Sequence, residues 1–214
     1  MKQMLQTVLI VAGLALAVSC VDSRADFSGD LKTARGVVDE KHRNEVFYIR
    51  GEGVPEKISA WDFYFYDPGT SNKLRLVSVV DGKINRVTPS TLKKTVTPDR
   101  LFDPSGPIPP LSGALSSAAR YAKDNAISYN RVRVVLRRPT PGEAPAWMVE
   151  MRQDGLPRGV VYTSAPGGSF VQYTPVKKSG GGGAQGFFKD VENTFLGIGG
   201  DLEEFFTGDR TVDQ

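Results

Sequence analysis

The sequence predicts an α+β fold of two tandem units, each with one helix packed on a three- to four-stranded antiparallel sheet, followed by a helical C-terminal tail. Two observations predict it: the chain matches itself at one constant offset, and each copy shows helical periodicity followed by alternating apolar and polar residues. The expected boundaries are a signal peptide over 1–19, a first repeat over 26–88, a connector over 89–111, a second repeat over 112–175, a linker over 176–186 and an amphipathic tail over 187–207.

The repeat offset is 86 residues, the separation of Trp61 from Trp147, the two tryptophans of the chain. Gly82 falls on Gly168 in the same register, as do five further identities: Asn44 on Asn130, Val46 on Val132, Pro55 on Pro141, Ala60 on Ala146 and Ser78 on Ser164. Self-similarity at a fixed offset is the usual trace of duplicated units, and a chance alignment of strands is the alternative.

The second repeat shows the predicted elements most clearly. SGALSSAARYAKDNA has alanine and leucine at helical spacing with Ser112 as the expected N-cap, and NRVRVVLRR alternates valine and leucine with arginine as a half-buried strand does. AWMVEMRQ, VVYTSA and SFVQY are the following strands. In the first repeat DLKTARGVVDEKH is the expected helix, and NEVFYIRG, AWDFYFYD and LRLVSVVD are the expected strands. The Pro-rich stretch between the copies predicts an extended connector at the unit boundary.

This order of elements resembles the PepSY and PepSY-like domains of bacterial exported proteins. WMVEMRQDGLPRGVVYTSAPGGSF, from Trp147 to Phe170, carries most of the resemblance: an aromatic strand ending at Asp-Gly, a hairpin into an apolar strand, and a Gly turn. The first copy departs from it, because DPGTSN replaces the tight hairpin and Asp81-Gly82-Lys83 replaces the second turn. The resemblance implies a cystatin-like build, binding or inhibition of envelope proteins, often proteases, and no active site.

The N-terminus predicts export. Lys2 precedes an uncharged run whose core, LIVAGLALAV, has the length of a secretory signal. The residues leading into Cys20 resemble the lipobox of bacterial lipoproteins, in which the cysteine is lipidated, although Ala17 stands where leucine is usual. This favours a periplasmic or outer-membrane lipoprotein with a lipid anchor in the membrane. Cleavage by ordinary signal peptidase after Ser19 or Ala25 would instead leave a soluble periplasmic or secreted protein.

No catalytic site, cofactor or metal site is predicted. Nucleophilic catalysis needs a base beside Ser or Cys, and metal sites need clustered ligands. The one histidine, His42, lies in the polar run DEKHRN, where a solvated helix-ending role is expected. The 27 basic and 24 acidic residues are spread along the chain, which argues against a nucleic-acid partner. GGGG from Gly180 lacks the lysine of a phosphate loop and is interpreted as a linker.

Two strand faces are candidate binding surfaces. In the second repeat, the face is basic and carries Arg131, Arg133 and Arg137, with an ordinary solvated face as the alternative. In the first repeat, the comparable face is apolar or aromatic and carries Phe47, Ile49, Tyr64 and Tyr66. Because the other face of that sheet is also apolar, we expect something to cover it.

The tail is the expected cover. GFFKDVENTFLGIGGDLEEFF places apolar residues three and four apart, with Phe188, Phe195 and Phe205 as the aromatic contacts. Its polar face is acidic, which favours docking on protein, either this chain or a partner, over an anionic membrane.

The sequence therefore predicts an exported, non-catalytic binding module for a protein or peptide of the envelope. The alternative is a structural or assembly component engaged through the tail, and an enzyme is the least favoured reading.

Replacing Cys20 with serine tests the lipid anchor. We expect Cys20→Ser to release the protein from the membrane fraction and to lower its intact mass by the mass of the lipid. The neighbouring Ser23→Ala is the matched control and should stay in the membrane fraction. A wild-type protein that is soluble and begins at Asp26 would contradict the prediction.

Overall fold

The computed structural model describes residues 27–92, 96–139, 141–164 and 169–175, with side chains described as far as Thr163. Two α-helices lie in this part of the chain, α1 (Ser28–Arg35) and α2 (Leu111–Asp124), with a 3-10 turn at Pro98–Arg100. The strands are β1 (Val46–Val54), β2 (Lys57–Tyr66), β3 (Leu74–Val80), β4 (Lys83–Pro89), β5 (Arg131–Arg137), β6 (Ala146–Gln153), β7 (Leu156–Ser164) and β8 (Ser169–Pro175).

All eight described strands form one antiparallel sheet in the order β4-β3-β2-β1-β5-β6-β7-β8. The first strands of the two halves join at its centre, where Gly51 pairs with Val134. The expectation of two tandem helix-on-sheet units is therefore wrong, and the fold is richer in strand than predicted. An unpaired β1 and an unpaired β5 would each expose a row of backbone donors and acceptors, and pairing them removes both open edges.

The two halves nevertheless correspond within this one sheet. Each half begins with a helix, and its strands run outward from the centre in sequence order. The outermost strands β4 and β8 span residues 83–89 and 169–175, which coincide at the offset of 86 that aligns the tryptophans. This agreement of strand order favours an internal duplication over a chance alignment. The sequence did not predict strand β4 of the first half, because its residues are almost all exposed and show no alternation of apolar and polar side chains.

One hydrophobic core serves both halves on the face where the helices pack. The Trp61 and Trp147 rings lie 6.5 Å apart between centroids, and the Phe27 ring contacts both at 5.5 and 5.7 Å. Leu31 of α1 and Ala118 of α2 belong to the same buried cluster. Both tryptophans are buried. Each lies on the second strand of its half, the position that the repeat predicted.

The helix ends differ from the predictions. The helix α1 ends at Arg35, well before His42, because Gly36 follows it and the chain turns from there. Ser112 is the second residue of α2 and does not cap it; the N-cap position is Pro110, which makes no side-chain cap hydrogen bond.

The connector between the halves packs against both faces of the sheet. Val96 is buried with Phe47 and Leu74 on the face opposite the helices. Phe102 then exchanges two backbone hydrogen bonds with Val46, at 3.0 and 2.8 Å, and Leu111 enters the main core. The connector is thus part of the packed fold and does not separate two cores.

Unfolding monitored by single-tryptophan variants tests whether the halves form one unit. Trp147→Phe leaves Trp61 as the reporter of the first half, and Trp61→Phe leaves Trp147 as the reporter of the second. Because the core is shared, we expect fluorescence and circular dichroism of each variant to give the same urea midpoint, in a single transition. Separate midpoints for the two probes within one variant would show that the halves unfold independently.

Candidate functional site

The sheet face opposite the helices carries a dense set of charged and aromatic side chains, and we call it the polar face. Strand β2 shows the division: Trp61, Phe63 and Phe65 belong to the main core, so the alternate residues Asp62 and Tyr64 point to the polar face. On its four central strands, β2, β1, β5 and β6, this face carries five arginines and three carboxylates. They are Arg50, Arg131, Arg133, Arg137, Arg152, Glu52, Asp62 and Glu150.

An ionic row crosses the centre of the polar face from β1 to β6. Arg133 Nε lies 2.9 Å from Glu52 Oε1, and Arg133 Nη1 lies 3.5 Å from Glu150 Oε2. Arg152 Nη1 is 3.1 Å from Glu150 Oε1. The Glu150 side chain is fully buried, and this burial raises its pKa, while the charges of Arg133 and Arg152 lower it.

A second polar group lies beside the row on β1, β2 and β3. Arg50 forms an ion pair with Asp62, and the Ser78 hydroxyl donates to the other oxygen of that carboxylate at 2.5 Å. The Tyr48 and Tyr64 rings meet edge to face at 5.1 Å between centroids. Burial raises the pKa of Tyr48 further above its ordinary value.

Arg137 differs from Arg50, Arg133 and Arg152 of this face, which all form ion pairs with carboxylates. It is half-buried, and it forms no ion pair with a carboxylate in the described part of the chain. Its charge lowers the pKa of both Tyr48 and Tyr162, against the larger effect of burial, which places the guanidinium near both phenols. Its cross-strand partner on β6 is the small residue Ala146.

Two residues of the predicted aromatic surface, Phe47 and Ile49, are buried and do not form an exposed surface. A bulge between Val46 and Tyr48 shifts the alternation of β1, so Ile49 pairs with Phe63 and is fully buried in the main core. Phe47 is buried beneath the connector, with Tyr66 packed against the same small cluster. Tyr64 lies on the polar face as predicted. Val96 of the connector covers the apolar part of this face.

The predicted arginine surface is divided by the structure. Arg131 is exposed and pairs across the strands with Arg152, another arginine. Arg133 is buried in the ionic row, so the ordinary solvated-face interpretation fails for it. Arg137 is half-buried and, like the exposed Arg131, has no carboxylate paired with it in the described part of the chain.

Several predicted residues lie outside the described part of the chain. These are Cys20 and the tail residues Phe188, Phe195 and Phe205, together with the signal peptide, the linker and the tail itself. His42 is described: its Nδ1 lies 2.5 Å from Glu45 Oε2, and its ring contacts Tyr66. This places His42 in a local structural pair.

A groove of about 280 Å³ lies on the other side of the molecule, between α2 and the β1–β2 turn. Leu115, Ala119 and Pro55 line it, with Glu56 and Tyr129 among the polar residues. Burial, and to a lesser extent the charge of Glu56, raises the pKa of Tyr129. The groove is largely apolar, and Glu56 and Tyr129 are the titratable residues that line it.

Sequence reasoning missed Tyr48, Arg50, Asp62 and Tyr162 as members of the polar face. Their charges and rings become one surface only through the β1–β5 pairing and the bulge in β1, neither of which leaves a clear mark on periodicity. The alternation of β2 did carry a signal, because WDFYFYD sets an acidic and two phenolic residues against three core aromatics.

Comparisons with protein-family models, with characterised proteins and with solved structures each gave no significant match. The resemblance to PepSY domains therefore stays an expectation. Within residues 27–164, apart from the short undescribed gaps, no three metal-type ligands cluster, and no helix is long and apolar enough to cross a membrane.

The raised pKa of Glu150 predicts a pH-dependent stability that Glu150→Gln removes. A carboxyl group whose folded pKa exceeds its unfolded value near 4.5 binds its proton more tightly when folded, so stability is lost as the pH rises through the folded pKa. We expect the wild type to lose unfolding free energy relative to the variant as the pH is raised from 5 to 8.

Urea unfolding at the two pH values measures this difference. Glu143→Gln, at an exposed loop position, is the matched control and should follow the wild type. A wild-type protein that instead gains stability relative to Glu150→Gln on raising the pH would show that Arg133 and Arg152 outweigh burial.

Proposed function

We propose that the protein is an exported, non-catalytic binding module that holds a protein or peptide of the cell envelope on the polar face of its sheet. The observation that carries the proposal is Arg137, a half-buried guanidinium between two phenols with no carboxylate paired to it in the described residues. The proposals of export and of an envelope location both depend on the N-terminal signal pattern.

The composition of the face supports binding. Tyrosine and arginine are the residues that most often dominate the affinity of protein interfaces, because they combine large contact area with hydrogen-bonding groups. Here Tyr48, Tyr162 and Arg137 stand on paired strands, which hold a binding constellation more precisely than loops do. A ligand would therefore meet a surface that is already ordered.

The charge balance defines the chemistry of the partner. On the four central strands of the face, Glu52, Asp62 and Glu150 neutralise Arg50, Arg133 and Arg152, which leaves Arg137 and the exposed Arg131 uncompensated. A guanidinium binds a carboxylate through two parallel hydrogen bonds. Burial raises the pKa of both phenols near Arg137 further above their ordinary value, so neither phenol neutralises the guanidinium. The fitting ligand is an acidic surface or peptide that places one carboxylate beside Ala146.

The same groups are poorly placed for catalysis. A general acid or base needs a free path to substrate as well as a shifted pKa. Glu150 has a raised pKa, but its two oxygens face Arg133 and Arg152 beneath the surface. These pairs support the interpretation of the face as a binding surface.

Arg137→Ala tests the proposal directly. The full chain and the variant are used to capture proteins from envelope extract, with quantitative mass spectrometry of what is bound. We expect the loss of one central arginine anchor to reduce recovery of the specific partner tenfold or more. Arg120→Ala, on the exposed side of α2, removes the same group from the opposite side of the molecule and should leave recovery unchanged.

Two results would contradict the proposal. One is equal recovery of the same proteins by wild type, Arg137→Ala and Arg120→Ala. The other is loss of binding by Arg120→Ala with retention by Arg137→Ala, which would move the binding surface to the helix side.

A further inference from the structure

We infer that β4, one edge of the sheet, is an attachment site for an extended segment of a partner protein whose residues alternate between apolar and acidic. This surface is separate from Arg137 and does not depend on it. In the sheet order, β4 pairs with β3 alone, so one side of its backbone has no strand partner in the described part of the chain. Such an edge presents a row of backbone donors and acceptors that an added strand can pair with.

The apolar side chains of β4 lie on the helix face at this edge. Ile84 pairs across the strands with the core residue Val79, and Val87 pairs with the core residue Val77. Ile84 is 37% exposed and Val87 36% exposed, so the apolar row of the core reaches the edge and leaves about a third of each residue open to water. An added strand with apolar residues on this face would continue the row and remove that area from water.

The opposite face of β4 is basic. Arg86 pairs across the strands with Ser78 on the polar face, and Lys83 pairs with Val80. Both cations are exposed, and neither forms an ion pair with the described residues. An incoming strand would therefore place acidic residues on this face, opposite Arg86, where opposite charges on neighbouring strands are favourable.

A second copy of the chain fits the edge less well. In an antiparallel pair of two β4 strands centred on Arg86, the two Arg86 side chains would face each other, and like charges in that position are destabilising. The charge pattern thus selects a partner segment of acidic and apolar residues over self-association. Pro89, which lacks a backbone N–H, closes the site at its far end.

Defined peptides provide the test. The probes are two capped heptapeptides, one alternating valine with glutamate and one alternating valine with lysine, added to the full chain. Affinity is measured by titration, and the amide exchange of β4 is followed by nuclear magnetic resonance. We expect the glutamate peptide to bind at least tenfold more tightly than the lysine peptide and to slow exchange of the β4 amides that do not bond to β3.

Charge reversal then separates this site from general ionic attraction. Arg86→Glu should reverse the preference between the two peptides, whereas Arg120→Glu, the same change on α2, should leave it as in the wild type. Absence of β4 protection at millimolar peptide, or a preference that Arg86→Glu does not change, would overturn the inference. Protection of β4 without peptide, together with dimerisation in sedimentation, would also overturn it by showing a second copy at the edge.

Discussion

The pairing of β1 with β5 is the contact on which the rest of the fold depends. It joins two outward-running sets of strands at the centre of one sheet and brings Trp61 and Trp147 within 6.5 Å in one core. Gly51, at the middle of this contact, carries no side chain because the Trp61 ring occupies the space: a Cβ atom there would lie 2.5 Å from the ring. A bulkier residue would have to displace the tryptophan or the strand, and either change would disturb both halves.

The same pairing also determines the charges of the polar face. In the observed register Glu52 stands opposite Arg133, and Arg133 stands opposite Glu150, so opposite charges alternate over three strands. A shift of one residue would turn the core side chains to the polar face and leave Glu150 buried without its partners. Burying an unpaired charge is far more costly than burying a paired one. We therefore infer that the ionic row penalises other registers more than it adds to net stability.

The sequence predicted the individual helices and strands better than it predicted how the two halves join. The alternation of Val132, Val134 and Leu136 correctly identified the core side of β5, and the helical spacing of alanine identified α2, because both patterns act within one element. The joining of the halves is a relation between distant strands, and the repeat offset is compatible with separate or shared sheets. The bulge in β1 reversed the expected side of Ile49, since one extra residue changes the face of everything after it.

The two proposed contact surfaces share a preference for acidic groups but differ in how a ligand would use them. Arg137 lies on β5 and Arg86 on β4, four strand positions apart, or about 19 Å at the usual strand spacing. Both side chains point to the polar face, so one partner with an acidic surface and an adjoining extended segment can reach them together. Binding at one site would then raise the effective concentration at the other, and modest affinities at each would combine into a tight complex. The rigidity of a single sheet is what keeps that separation fixed, which two independently moving units could not do.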